Sequence, residues 1–323
     1  MSTIREGSSL YYSLLWTEAG ARQRFIDRLA LTQALGSTLD DVQEPQVAER
    51  KIHWWHEELQ RMVDGEARHP ATKACQDSIR FTDSETDAAN SAGQSAALAA
   101  CLALLSAVST SRFSPPATGA DADELIEQSF TARLALLAHA LSSDIDDLDT
   151  ASHSAQLARA LGKFDRLSRL PQLLHRGHAV FSDDTYQKYK LRPTDLASHI
   201  RVASNTDGVN DVHAGETAAG SADSERAKQS SSLNAIPVVV ENPARVTLIA
   251  DAIEDTHAEL TTACNEQAVS QRYRTAPLLP LWRLVILREK QVKLWQQKQP
   301  DLLRERLTMT PLSKLFWAWR NKR

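Results

Sequence analysis

Hydrophobic residues recur with helical spacing between positions 44 and 64, and this is the clearest pattern in the chain. The apolar positions step by four, three, four and three residues, which places them on one face of a helix. They are Ala48, Ile52, Trp55, Leu59 and Met62. Pro45 suits a first helical turn and Asp64-Gly65 suits an end, so the pattern predicts one well-bounded helix.

The rest of the chain also predicts helices, because Gly and Pro, the residues that most often interrupt a helix, are few for its length. We expect a helix pair over 9–35 joined at 16–20, and helices over 72–81, 93–108, 122–141, 153–175, 184–190, 246–265, 281–299 and 311–320. Only residues 236–240 resemble a strand, and Pro237 argues against a central one. The expected fold class is all-α, as a single domain over residues 1–323.

One long segment does not suit a packed core. Residues 205–232 are rich in Ser, Ala, Gly, Asp and Thr and hold few large apolar side chains. Such a segment cannot bury enough surface to offset its ordering entropy. We therefore expect a disordered insertion there.

Composition narrows the function classes. The formal net charge of −4 argues against a nucleic-acid binder. Cys75, Cys101 and Cys264 are far apart and show no zinc-site spacing, which favours a reducing compartment. Residues 1–9 contain no signal-peptide core, and no apolar run reaches the ~18 residues of a membrane span. The expected location is cytoplasmic, with peripheral contact at the inner membrane as an option.

Four stretches, in order, resemble segments of the squalene/phytoene synthase family. They are residues 7–15, the Trp-Trp helix 51–59 with Gly65 and His69-Pro70 behind it, residues 160–177, and residues 310–320. Together they span nearly the whole chain. The resemblance implies an isoprenoid-synthase-like helical bundle around a central cavity.

The resemblance also implies chemistry that this chain has altered. In active members, Mg²⁺ ions bridge a diphosphate substrate to paired aspartates on two facing helices. The first aspartate motif aligns with residues 36–40, where Gly36 and Ser37 replace the leading pair. The candidate metal ligands that remain nearby are Asp40, Asp41 and Glu44, which equally suit a helix start.

The second aspartate motif aligns with residues 169–173, where Arg169 and Leu173 replace the aspartates. A cation at that position opposes Mg²⁺ binding. Leu170-Pro171 and His175-Arg176-Gly177 resemble one branch of the family, the assembly factors of respiratory complex I and their bacterial relatives. Members of that branch are generally thought not to be active synthases. We expect no cofactor, and Mg²⁺ only if the chain is an enzyme.

Two pairs of residues are candidates for substrate contact. Tyr11 and Tyr12 could line a prenyl pocket, or could be ordinary core residues. Arg169 and Arg176, together with Arg166, could hold a diphosphate directly without a metal, since arginine binds phosphate bidentately. The alternative for these arginines is a solvated basic helix face.

Other conspicuous residues favour structural interpretations. Trp54 and Trp55 point about 100° apart on a helix, so we expect one inside and one at a helix–helix seam. His53 and His56 do not have the spacing of an i,i+4 metal pair. The acidic cluster is expected to be a solvated turn; its members are Asp144, Asp146, Asp147 and Asp149.

The end of the chain combines basic and aromatic residues. Residues 314–323 hold four cations and no acid, interleaved with Phe316, Trp317 and Trp319. This composition suits an anionic membrane surface, a groove on a protein partner, or a helix docked on its own domain.

Two functions remain as expectations. The first is a non-catalytic family member, acting as an assembly or scaffolding factor or as a prenyl-lipid-binding module. The second is a Mg²⁺-dependent prenyltransferase that condenses two prenyl diphosphates head to head.

Overall fold

The computed structural model describes residues 4–80, 87–141, 151–196, 242–275 and 277–322. Every regular element in these ranges is a helix, which confirms the all-α prediction. The helices of the first half are α1 (Ser9–Ser13), α2 (Ala19–Gly36), α3 (Pro45–Asp64), α4 (Pro70–Arg80), α5 (Asp87–Phe113) and α6 (Gly119–Leu141). They are followed by α7 (Ala151–Ser168), α8 (Leu170–His175), α9 (Asp183–Lys188), α10 (Pro243–Asn265), α11 (Gln267–Tyr273), α12 (Leu279–Lys298) and α13 (Pro311–Arg320).

The long helices pack as neighbours around two main apolar clusters. Helix α6 lies between α5 and α7, and α7 continues the packing onto α10 and α12. One cluster joins α1, α6, α7, α10 and α12, and a second joins α2, α3, α5 and α6. Helices α6 and α7 therefore form the centre of the bundle.

Helix α5 is long and apolar enough to cross a membrane by composition alone, over Ser95–Phe113. It packs against α3 and α6, and its inner face is buried, with Cys101 and Leu104 fully covered. A core helix passes the same test of length and composition. Burial raises the pKa of the Cys101 thiol to about 12, as expected for a structural cysteine.

Two capping side chains and one glycine define three of the helix ends. Ser8 accepts a hydrogen bond from the Tyr11 amide at 3.1 Å and caps α1. Gly65 ends α3 in the left-handed conformation with φ of 87°, where a side chain would be strained. Thr310 caps α13 through the Ser313 amide at 3.3 Å.

Glu58 on α3 gives the His69-Pro70 turn a structural role. Its side chain is fully buried, and one oxygen accepts hydrogen bonds from the Arg68 and His69 amides, both at 2.7 Å, and from the Thr72 hydroxyl. Its other oxygen pairs with Arg61 at 3.1 Å. This carboxylate holds the turn that starts α4 against α3.

The structure corrects the expected helix over 153–175. That segment is two helices, α7 and α8, which meet at Arg169. Pro171 lies in the first turn of α8, and its ring would clash with a carbonyl one turn earlier if α7 continued. Helix α5 also runs further than the predicted 93–108, and α11 had no prediction. The expected insertion at 205–232, the strand-like residues 236–240 and the acidic cluster at 144–149 lie outside the described residues.

Gly162 lets α6 and α7 approach closely. A Cβ built on it would lie 2.2 Å from Ile126 Cγ2 and 2.8 Å from Phe130 Cδ2. We predict that Gly162→Ala destabilises the protein by about 2 kcal/mol, because the added methyl overpacks the seam. Urea unfolding would measure the change.

The matched control for this substitution is Gly20→Ala on α2. A Cβ there meets its nearest atoms at 3.6 Å, which is ordinary contact. Alanine in a helix is expected to be neutral or to stabilise by up to about 1 kcal/mol. Equal effects at the two positions would contradict the close-approach explanation.

Candidate functional site

The two segments aligned with the aspartate motifs touch each other through a direct ion pair. Asp40, in the turn after α2, is buried, and its Oδ2 accepts a hydrogen bond from Arg176 Nη1 at the end of α8. His178 Nε2 lies 3.4 Å from the other oxygen, Asp40 Oδ1. The last residue of the first motif is thus contacted by two side chains from the segment that follows the second motif.

Arg112 at the end of α5 reinforces the same junction. Its Nε and Nη2 donate to the Val42 carbonyl at 3.1 and 2.9 Å, and its Nη1 donates to the Gly177 carbonyl at 3.4 Å. Gly177 has φ of 74°, a conformation that favours glycine. Arg112 carries no signal in the sequence, because it lies far from both motifs along the chain.

The electrostatics of Asp40 follow from these contacts. Burial alone would raise its pKa, but His178 and the Arg176 guanidinium outweigh that effect. The pKa of Asp40 therefore lies below its ordinary value, and the side chain is a carboxylate at neutral pH.

A second group of charged side chains lies beside Gly36, which stands where the first motif of active members has its leading aspartate. A Cβ on Gly36 would lie 2.8 Å from Arg133 Nη2, so this guanidinium covers the glycine. Arg133 Nη1 is 3.8 Å from Asp165 Oδ2, which also pairs with Arg169 at 3.4 Å. Arginine from α6 thus occupies space that an aspartate side chain at position 36 would need.

These residues do not fit a magnesium site. Asp40 is engaged on both oxygens, and Asp41 and Glu44 are exposed, with Glu44 at the start of α3. Within the described ranges, no group of three or more His, Cys, Asp or Glu is arranged to hold a metal ion. Mg²⁺ needs oxygen ligands, and here cations stand beside the carboxylates.

A cavity of about 280 Å³, which we call the basic cavity, opens between α7, α8, α12 and the start of α13. Its walls carry four cations and one carboxylate, Glu305. The cations are Arg169, Arg288, Arg306 and Lys314. Such a wall suits an anionic group.

Aromatic stacking forms the apolar side of the basic cavity. The rings of Phe164 and Trp295 are parallel, with centroids 5.2 Å apart, and the Arg288 guanidinium lies 4.3 Å from the Phe164 centroid. Burial lowers the pKa of Arg288. Burial and the nearby Arg288 charge also lower the pKa of Lys314, whose ammonium donates to the Gly7 carbonyl at 2.9 Å.

The structure divides the arginines that the sequence grouped together. Arg169 lines the basic cavity, whereas Arg176 is in the ion pair with Asp40. Arg166 lines a different cavity of about 340 Å³ between α6, α7 and α10, and burial lowers its pKa to about 10. Lys163 in that cavity is neutralised by three carboxylates, those of Asp123, Asp255 and Glu259.

The remaining candidates line neither of these two cavities. Tyr11 and Tyr12 are partly buried, contact each other edge to face, and line neither of these cavities. Trp55 is buried and Trp54 is exposed, and both rings pack against His69. A groove of about 380 Å³ between α2 and α3 lies beside this aromatic group.

The profile of the Squalene/phytoene synthase family matches residues 4–274. The chain belongs to this family. A solved structure of a dehydrosqualene synthase in complex with a ligand superposes with a TM-score of 0.62 and 11% sequence identity. The match covers 97% of this chain and 90% of that one, and it confirms the isoprenoid-synthase fold. No curated protein matches the sequence.

The family profile and the basic cavity cover different parts of the chain. The profile ends at residue 274, so Arg288, Arg306 and Lys314 lie beyond it. Three of the four cations that line the cavity therefore come from α12, from α13 and from the segment between them. Residues 310–320, which resemble a family signature, also lie outside the profile match.

Proposed function

We propose that this member of the squalene/phytoene synthase family is non-catalytic and binds the phosphate end of a prenyl lipid without Mg²⁺ in the basic cavity. The observation that carries the proposal is the ion pair between Asp40 and Arg176. In an active member, metal ions would connect the two motif segments. Here, a carboxylate and a guanidinium connect them directly.

The basic cavity supplies what such binding requires. Arginine can hold a phosphate bidentately. The burial of Arg288 strengthens a charge–charge contact at that side chain, whereas Arg169 is partly exposed. The stacked rings of Phe164 and Trp295 offer an apolar surface for the first carbons of the chain. A volume of about 280 Å³ lies at the small end of ligand sites, which suits one phosphate head with part of its tail.

The rival function, a head-to-head prenyltransferase, needs more space and a metal. Two prenyl chains must lie side by side, and the cavities beside α7 hold about 280 and 340 Å³. Two C15 chains exceed either volume, since a single drug-sized ligand already occupies a site of about 300–1,000 Å³. The carboxylates expected to bind Mg²⁺ are paired with cations or exposed.

Calorimetric titration tests the proposal. Farnesyl diphosphate, inorganic pyrophosphate and farnesol are titrated separately into the full chain, in EDTA and then in Mg²⁺. We expect farnesyl diphosphate to bind in EDTA, and Arg288→Gln to weaken it by roughly tenfold or more, because a charge-assisted contact is lost. Arg50→Gln, at an exposed position outside the cavity, is the matched control.

Each outcome has a distinct meaning. Binding that requires Mg²⁺, together with formation of a condensed product, would overturn the proposal in favour of the enzyme. Equal binding of farnesol would show that the cations are not used. If no probe binds, the lipid-binding proposal is wrong. The remaining function would be that of a scaffold for protein partners.

A further inference from the structure

Helix α13 presents its apolar stripe to the outside. Leu312, Leu315, Phe316 and Trp319 lie on one face and are 79%, 38%, 50% and 53% exposed. The opposite face, with Lys314 and Ala318, is the buried one. A helix that only docked on its own domain would bury the stripe instead.

Polar contacts at both ends hold this orientation. At its start, Thr310 caps the helix and Lys314 donates to the Gly7 carbonyl. At its end, the buried Arg283 donates to the Asn321 and Lys322 carbonyls at 3.1 and 3.0 Å. The stripe is therefore fixed outward by contacts that turning the helix over would break.

A further exposed aromatic adjoins the same end of the helix. Trp16, 43% exposed, lies under the Arg283 guanidinium at 5.2 Å from its ring centroid, and Arg283 also donates to the Ser13 carbonyl. One arginine thus connects the residues that follow α1 to the end of α13. We call Trp16 and the four stripe residues the α13 patch.

The charged side chains that α13 and its end bring to the patch are all positive. Arg320 and Lys322 are exposed, and residues 311–323 contain no Asp or Glu, in a chain whose formal net charge is −4. Lys322 lies 5.4 Å from the centroid of the Trp319 ring. Apolar and aromatic side chains flanked by cations match the boundary of an anionic bilayer. There, burial of apolar surface and attraction to anionic lipids both contribute to the binding free energy.

We propose that the α13 patch docks the protein onto an anionic membrane surface. A second copy of the chain fits less well, because a symmetric contact through α13 would bring the same cations together. The helix has ten residues, about 15 Å of length, so it is too short to span a bilayer and would lie in the interface plane. Its Trp and Phe rings would then insert to the headgroup level.

Vesicle binding tests this proposal independently of the lipid-phosphate site. The full chain is sedimented with vesicles of phosphatidylcholine alone and with added phosphatidylglycerol. We expect binding only with the anionic lipid, loss of binding at high salt, and a blue shift of tryptophan emission. Phe316→Ala/Trp319→Ala and Arg320→Gln/Lys322→Gln should each reduce binding by roughly tenfold or more.

The control is Trp54→Ala, which removes an exposed tryptophan from another part of the surface. It should bind vesicles like the unaltered protein, and circular dichroism should show that every variant is folded. Equal binding to neutral vesicles would overturn the role of charge. A dimer that the α13 variants dissociate, without vesicle binding, would assign the patch to a second copy.

Discussion

Replacing Glu58 with alanine should destabilise the protein by about 3–5 kcal/mol, the range for removing one partner of a buried charged network. The substitution leaves the Arg68 and His69 amides and the Thr72 hydroxyl without their acceptor, and it also opens a void. The turn between α3 and α4 should loosen first. Urea unfolding followed by circular dichroism would measure the loss.

The pH dependence of stability offers a second measurement on Glu58. Burial alone would raise its pKa, but the hydrogen bonds from His69, Thr72 and Arg68 outweigh it and lower the pKa from 4.5 to about 2. Because the folded-state pKa is depressed, the contribution is present above pH 4.5 and is lost as the pH falls toward 2. The gap in unfolding free energy between wild type and Glu58→Gln should therefore narrow across that window.

Glu57 provides the control, since it is the neighbouring glutamate on the same helix. Its side chain is half exposed and pairs with His53 and Arg61 at the surface, so Glu57→Ala should cost less than about 1 kcal/mol. A similar cost at both positions would show that the buried network contributes little. A gap that stays constant with pH would contradict the charged state of Glu58.

The second large effect is expected at the junction of the two motif segments. Asp40→Asn should lower stability by about 1–3 kcal/mol, less than a fully buried pair because Arg176 is partly exposed. In a double-mutant cycle with Arg176→Gln, the coupling energy should be about 1–2 kcal/mol. Since the pKa of Asp40 is lowered, its contribution should be lost as the pH falls below about 4.

Asp165 and Arg169 supply the comparison for this cycle. They form an i,i+4 pair at 3.4 Å with both side chains partly exposed, and their coupling should stay below about 0.5 kcal/mol. Thermal unfolding in millimolar Mg²⁺ adds a separate test. A rise in Tm that Asp40→Asn abolishes would mean that Asp40 binds metal. That result would favour the prenyltransferase function.

The helical architecture was predictable because its signals are local. The periodic face of α3, Pro45 at its start and Gly65 at its end gave the helix to within a residue. The bounds of α13 were predicted as found, since Thr310-Pro311 is a strong start. The signal for the break at Arg169 was also local, since Pro171 lies two residues later. The helical periodicity on both sides of this proline nevertheless favoured one continuous helix over 153–175.

The site was less predictable because its contacts join distant parts of the chain. The sequence indicated that cations had replaced metal ligands, but it could not pair Asp40 with Arg176 rather than with Arg169. Arg112, Arg133 and Arg288 come from helices with no motif, and only packing places them. The basic and aromatic composition of α13 was visible in the sequence, whereas the outward direction of its apolar stripe depends on contacts with other segments, made by Lys314 to Gly7 and by Arg283 to Asn321.

Arg283 has a consequence for the order in which the protein matures. Its guanidinium donates to Ser13 near one end of the chain and to Asn321 and Lys322 near the other. During synthesis, residues 1–16 leave the ribosome long before residue 322 is made, so their final anchor forms last. Without those last residues the guanidinium would keep only the Ser13 carbonyl as an acceptor, so this link between the two distant segments has to wait until residue 322 has been made.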